Sequence, residues 1–267
     1  MTDTSLFAWS VPIVAEDNDK LNNFEHTWVT NFQEEVDPGF RPNPNSPVVM
    51  PPKSFWYCWG QGYAKAAKLI SQAEGNLSAA NGISPANAIP YKDGVLYSNN
   101  SGSIEFYGLD GVCHHVANQV LFATGTAAKE PVRVGQANGY AVSSFFYGTY
   151  GLNEDKWAEI HRKYMPNTKM PGDDFLPLMQ QHVHGVGQQS KLLELRDKAR
   201  MQLAFICAGA VTVRQKKLSQ FYNAYIPLMQ LSNTAILNEA EQVLGTSVFN
   251  ALFQFPNTDD ASWMLPT

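Results

Sequence analysis

The stretch Gly108-Leu109-Asp110-Gly111-Val112-Cys113-His114-His115-Val116-Ala117-Asn118-Gln119-Val120-Leu121 constrains this chain more than any other. Gly108, Asp110 and Gly111 form turns and caps, so a helix is predicted to start at or just before Cys113. Val116, Val120 and Leu121 then give that helix one buried stripe. Cys113 falls in the first turn, where unpaired backbone N–H groups and the positive end of the helix dipole favour a thiolate over a thiol. That environment suits a nucleophile, whereas most cysteines serve as small buried hydrophobes. On a helix starting at Cys113, His114 is turned by about 100° and His115 by about 200°, so neither readily serves the thiol of its own helix start.

A nucleophilic cysteine needs a base from another element. The segment Phe24-Glu25-His26-Thr27-Trp28-Val29-Thr30-Asn31-Phe32 reads as a strand with His26 near its start, on the face of Trp28. His26 is the best placed of the six histidines, because its aromatic neighbours shield a dyad from water. Further strands are predicted at Ser54–Trp59, at Val95–Tyr97, at Ser103–Tyr107, and around Glu130–Val134 and Gly139–Tyr147. A long proline-rich loop covers residues 34–54, and a helix is predicted over Tyr63–Ala73. Residues 1–23 read as irregular, with a short apolar piece at Phe7–Val14.

From Asp173 onward the pattern is helical. Asp173 or Asp174 caps a helix over Phe175–His184, and glycines 185 and 187 end it. Leu192, Leu195, Ala199, Leu203, Ile206, Ala210 and Val213 mark one long helix from Ser190 to Tyr225, about 50 Å at 1.5 Å per residue. Pro227 is expected to interrupt it, and Asn233 or Thr234 to cap a last helix through Leu244. Strands first and helices after imply an α+β fold, divided as an α+β domain over 1–165 and a helical extension packed on it over 166–267.

Composition excludes several functions. Charged residues are 16% of the chain and the net charge is −5, with no basic cluster, so nucleic acid is an unsuitable partner. Three widely spaced cysteines, Cys58, Cys113 and Cys207, do not make a disulfide framework. The N-terminus has no basic and apolar leader, and no apolar run reaches the roughly 18 residues needed to span a bilayer. These features fit a cytoplasmic protein, or one secreted by a route without a Sec signal.

A strand histidine in His26-Thr27-Trp28-Val29, followed later by Gly111-Val112-Cys113-His114-His115-Val116-Ala117-Asn118 at a helix start, resembles the circularly permuted NlpC/P60 proteins. These are papain-like thiol hydrolases and include the lecithin–retinol acyltransferase-like enzymes. The resemblance covers residues 24 to about 150. It implies a papain-like antiparallel sheet with a nucleophile-bearing helix, Cys113 as nucleophile, His26 as general base, and a peptide, protein or lipid acyl substrate. The family's third polar residue sits on the strand after the histidine. Here Tyr57, Cys58 and Trp59 are no obvious carboxylate or histidine, and Gln61 just beyond is the candidate to orient the imidazole through its carbonyl oxygen.

No cofactor is expected. A zinc site from Cys113, His114, His115, Cys58 or His26 is disfavoured because adjacent helical ligands point apart, and His182 and His184 suit a helix end better than a metal. There is no Gly-x-Ser-x-Gly elbow around Ser143-Ser144, and Gly60-Gln61-Gly62 lacks the rest of a phosphate loop. The competing expectation is a non-catalytic accessory or toxin-associated binding protein on the same scaffold. In either case the C-terminal helices offer a surface for a protein partner.

Overall fold

The computed structural model describes residues 4–12, 25–30, 68–75, 104, 108–124, 132–135, 139–167, 169–170, 172–214 and 218–253. They form a mixed α+β architecture: a small antiparallel sheet followed by helices. Three strands, β1 (Thr4–Pro12), β2 (Glu25–Thr30) and β3 (Lys68–Gly75), lie in the order β2-β1-β3. Both pairings are antiparallel, Ala8 facing Val29 on one side and Leu6 facing Ala73 on the other. The register against β3 shifts between Ala8 and Trp9, leaving Ile70 over as a bulge.

The central strand thus covers much of the apolar piece near the N-terminus, a correction to the irregular structure expected over residues 1–23. The helix predicted over Tyr63–Ala73 is corrected as well, because residues 68–73 belong to β3. Lys68, Leu69, Gln72, Ala73 and Glu74 are good helix formers, but pairing with β1 outweighs that weak local preference.

Helix α1 (Cys113–Thr124) starts where the turn glycines predict and lies on the sheet. Ala117, Val120 and Leu121 pack with Leu6, Ala8, Val29 and Ala73 in one buried cluster. Cys113 shares that stripe, since residues 117 and 120 return to its azimuth within about 40°. The same cluster takes in Tyr150, Trp157, Ile160 and Met165, with the Tyr150 and Trp157 rings stacked at 5.0 Å.

Helix α2 (Tyr140–Tyr147) replaces the strand expected over Gly139–Tyr147, and residues 132–134 form no strand either. All eight α2 residues are buried. A short helix buried all round has no polar face to reveal its period, so its β-branched and aromatic content reads as a strand. Helix α3 (Glu154–Tyr164) follows, with Asn153 accepting the Lys156 N–H at 3.1 Å and basic residues in its last turn.

Helices α4 (Phe175–His182), α5 (Val186–Arg214), α6 (Leu218–Leu244) and α7 (Thr246–Phe253) complete the described chain. The predicted cap is present: Phe175 N–H donates to Asp173 Oδ1 at 2.9 Å. Two expectations are corrected. The long helix ends at Arg214 rather than at Pro227, which lies inside α6. Proline removes one backbone donor from the helix, and Pro227 sits at an exposed position of α6. Asn233, expected as a cap, is a buried residue of α6. Gly245 ends α6 in the left-handed region, φ 76°. α4–α7 share a second core with α2, built on Phe145, Phe175, Leu203, Met229, Phe249 and their neighbours.

Candidate functional site

Cys113 is the first residue of α1, buried, and not in a disulfide. The helix start is locked by a histidine. His115 Nδ1 accepts the Val112 N–H at 2.8 Å, the reach-back of a capping box with imidazole in place of a carboxylate. Because a backbone N–H can only donate, the proton of His115 is on Nε2, which donates to Gly148 O at 3.1 Å. Burial pushes His115 down to about 4, and the backbone hydrogen bonds that favour its charged form do not offset this. His115 is therefore a neutral structural clamp at physiological pH.

The same side of α1 holds two more clamps. Asn118 Nδ2 donates to Thr149 O at 3.0 Å, and Gln119 Nε2 donates to Tyr150 O at 2.6 Å. Three successive carbonyls, 148 to 150, are thus held by three side chains of one helix. Asn118 also accepts the Val134 N–H through Oδ1 at 2.8 Å and donates to the Tyr140 hydroxyl at 3.1 Å. The Tyr140 hydroxyl donates to Asp174, which is paired with Arg133. Burial raises the Asp174 carboxyl, opposed by the Tyr140 hydrogen bond and the Arg133 charge. Burial, the Asp174 charge and the bond to Asp174 push the Tyr140 phenol well up.

His114 is also buried, edge-on to Tyr140. The Ser143 hydroxyl donates to Tyr140 O at 3.0 Å, so the 3.3 Å contact between Ser143 Oγ and His114 Nδ1 is a donation from the imidazole. Both histidines of the Cys-His-His run are therefore occupied away from the thiol, as helical geometry requires.

His26 is the second residue of β2, paired with Val11, and α1 packs against β2. Val29 is the β2 residue in the α1 cluster, while position 26 shares the opposite face of the strand with Trp28 and Thr30. Gln61 and Cys58 lie outside the described residues, as do the strands expected over 54–59 and 95–97. Cys207 lies half-buried on α5, His182 is half-buried at the end of α4, and His184 is exposed beyond it. Among the described residues, no group of three or more His, Cys, Asp or Glu side chains is arranged to hold a metal ion. Among them, too, no helix is long and apolar enough to cross a membrane.

The sequence reading missed Asn118, Gln119, Tyr140, Arg133 and Asp174. The first two carried a signal: four polar side chains, at 114, 115, 118 and 119, share the side of α1 opposite its apolar stripe, and burial on both sides follows once that helix sits mid-molecule. Nothing local links Arg133 to Asp174. No family model, curated protein or solved structure matches the chain. What is defined is the class of fold, a three-stranded antiparallel sheet with a cysteine-headed helix across it and a helical assembly behind.

Proposed function

We propose that the chain is a cysteine-dependent hydrolase or acyltransferase of papain-like kind, acting on an amide, ester or thioester. The observation that carries the reading is Cys113 as the first residue of α1, on the stripe that faces the sheet holding His26. In this reading His26 takes the thiol proton and the sulfur attacks the substrate carbonyl carbon. Backbone N–H groups at the start of α1 hold the oxyanion. Collapse expels the amine, alcohol or thiol, protonated by the imidazolium, and water or a second acceptor then releases the acyl group. Gln61 is proposed to orient the imidazole.

A second reading, a non-catalytic binding protein on this scaffold, is favoured by the 6% exposure of Cys113 and by the place of position 26 on the strand face opposite Val29, which packs with α1. Iodoacetamide labelling of the folded chain separates the two. The enzyme reading expects Cys113 to alkylate faster than Cys58 and Cys207, with a midpoint well below the ordinary thiol value of about 8.5. His26→Ala should slow that labelling. Labelling of Cys113 only on unfolding, or no effect of His26→Ala, selects the binding protein.

A further inference from the structure

Helices α5 and α6 each bury one side in the helical core and pack against each other as an antiparallel pair. Three contacts fix their register. Lys198 Nζ meets Glu239 Oε1 at 2.9 Å, Ser232 Oγ donates to Gln202 Oε1 at 2.5 Å, and a Cβ at Gly209 would lie 3.1 Å from the Tyr225 ring. That register sets Phe205 level with Leu228 and Met201 level with Leu231. All four face outward, exposed by 82%, 53%, 68% and 71% respectively. Met201 and Phe205 are four apart on one helix, Leu228 and Leu231 three apart on the other, so each pair forms a stripe. Single exposed apolar residues are ordinary, but a contiguous group on one face marks a contact surface.

We propose that this face is covered by a second copy of the chain, hairpin on hairpin, about a two-fold axis running along the helices. Such an axis lays α5 of one protomer antiparallel on α6 of its partner at matching levels. Phe205 of one copy then meets Leu228 of the other, and Met201 meets Leu231. Lys198 of each copy also meets Glu239 of the other, so the ion pair made within each chain is made again between chains. The rim is self-complementary: Lys198 pairs with Glu239 and Lys191 with Glu194, and the exposed Asp197 lies four residues before Met201. An anionic lipid surface needs a basic excess, which this rim lacks. The helices run side by side for about 20 residues, giving a strip of about 600 Å² per chain. A standard interface takes about 800 Å² per partner, so a dimer forming in the micromolar range is expected.

Sedimentation velocity on the full chain over a concentration series tests this. The wild type should pass from monomer to dimer, and Phe205→Glu with Leu231→Glu should raise the dissociation constant at least about thirty-fold, the weight of one hot-spot residue. Far-UV circular dichroism should stay unchanged, since both positions are exposed. Lys198→Glu alone and Glu239→Lys alone should each weaken self-association. Mixed together they should form a heterodimer, because each acidic rim then faces a basic one. Three results would overturn the proposal: a wild type monomeric throughout, a dimer indifferent to Phe205→Glu with Leu231→Glu, or a monomer that floats with phosphatidylcholine–phosphatidylserine vesicles.

Discussion

Ile104 is wedged between two glycines, and substituting each of them separates two kinds of strain. A Cβ at Gly151 would lie 2.3 Å from Ile104 Cδ1 and 3.0 Å from Asp110 O, on a backbone with φ of 98°. A Cβ at Gly111 would lie at the same 2.3 Å from Ile104 Cδ1, on a backbone without positive φ. Gly111→Ala therefore carries the steric cost alone, roughly 1–3 kcal/mol for an overpacked site. Gly151→Ala adds the left-handed penalty of about 1–2 kcal/mol, so it should destabilise by roughly 2–5 kcal/mol. Ile104→Val removes Cδ1 at its own cost of about 0.5–1.5 kcal/mol. In urea unfolding, the pair Gly111→Ala with Ile104→Val should be no less stable than Gly111→Ala alone. Gly151→Ala with Ile104→Val should remain worse than Ile104→Val by at least the backbone term. If Ile104→Val restores Gly151→Ala as completely as it restores Gly111→Ala, leaving no backbone penalty, or if Gly151→Ala is neutral, the reasoning from φ and contact is wrong.

Two further perturbations read the clamps. The His115 value falls from 6.5 in the unfolded chain to about 4 in the fold, so the unfolded state binds the extra proton between these values. Stability should therefore fall as pH drops from 6.5 towards 4, by about 3 kcal/mol in all from this group. Urea midpoints against pH should be flatter across that window in His115→Asn than in the wild type. Arg196 is buried, pairs with Asp173, and donates to Phe145 O at 3.2 Å and Ser144 O at 3.4 Å, capping the end of α2. Arg196→Met should cost about 3–5 kcal/mol, since it takes the cation from a half-buried carboxylate and a donor from Phe145 O, while Ser144 O keeps the Gly148 N–H. Arg196→Lys should recover only a small part of this, because an ammonium lacks the guanidinium fork; thermal unfolding of the three proteins ranks them.

Elements with one wet and one dry side were legible in the sequence. Most of α5 follows its apolar period, β2 is read from its β-branched and aromatic residues although both its faces are buried, and α1 starts at Cys113 because the turn residues before it announce a helix start. Failures fell where residue types mislead in a fully buried element or where pairing overrides preference. α2 carries no polar face, β3 is made of helix formers, and β1 becomes a central strand only through partners on both sides. The cysteine's place at a helix start was visible, and so was the unsuitability of His114 and His115 as its base. The clamps on carbonyls 148–150 were not, since each joins residues more than thirty positions apart, and local pattern carries no information over that span.

Those three clamps make α1 a shared wall. Its front belongs to the sheet and its back to the strip that leaves α2, and α2 in turn is buried among the C-terminal helices. A rotation or one-residue slide of α1 would break the bonds to carbonyls 148, 149 and 150 together, so the azimuth of Cys113 is dictated from the side of the helix it does not occupy. The sheet and the helical assembly accordingly have no separate way to melt: loosening either one exposes the polar back or the apolar front of the same twelve-residue helix, and a single cooperative transition is the natural outcome.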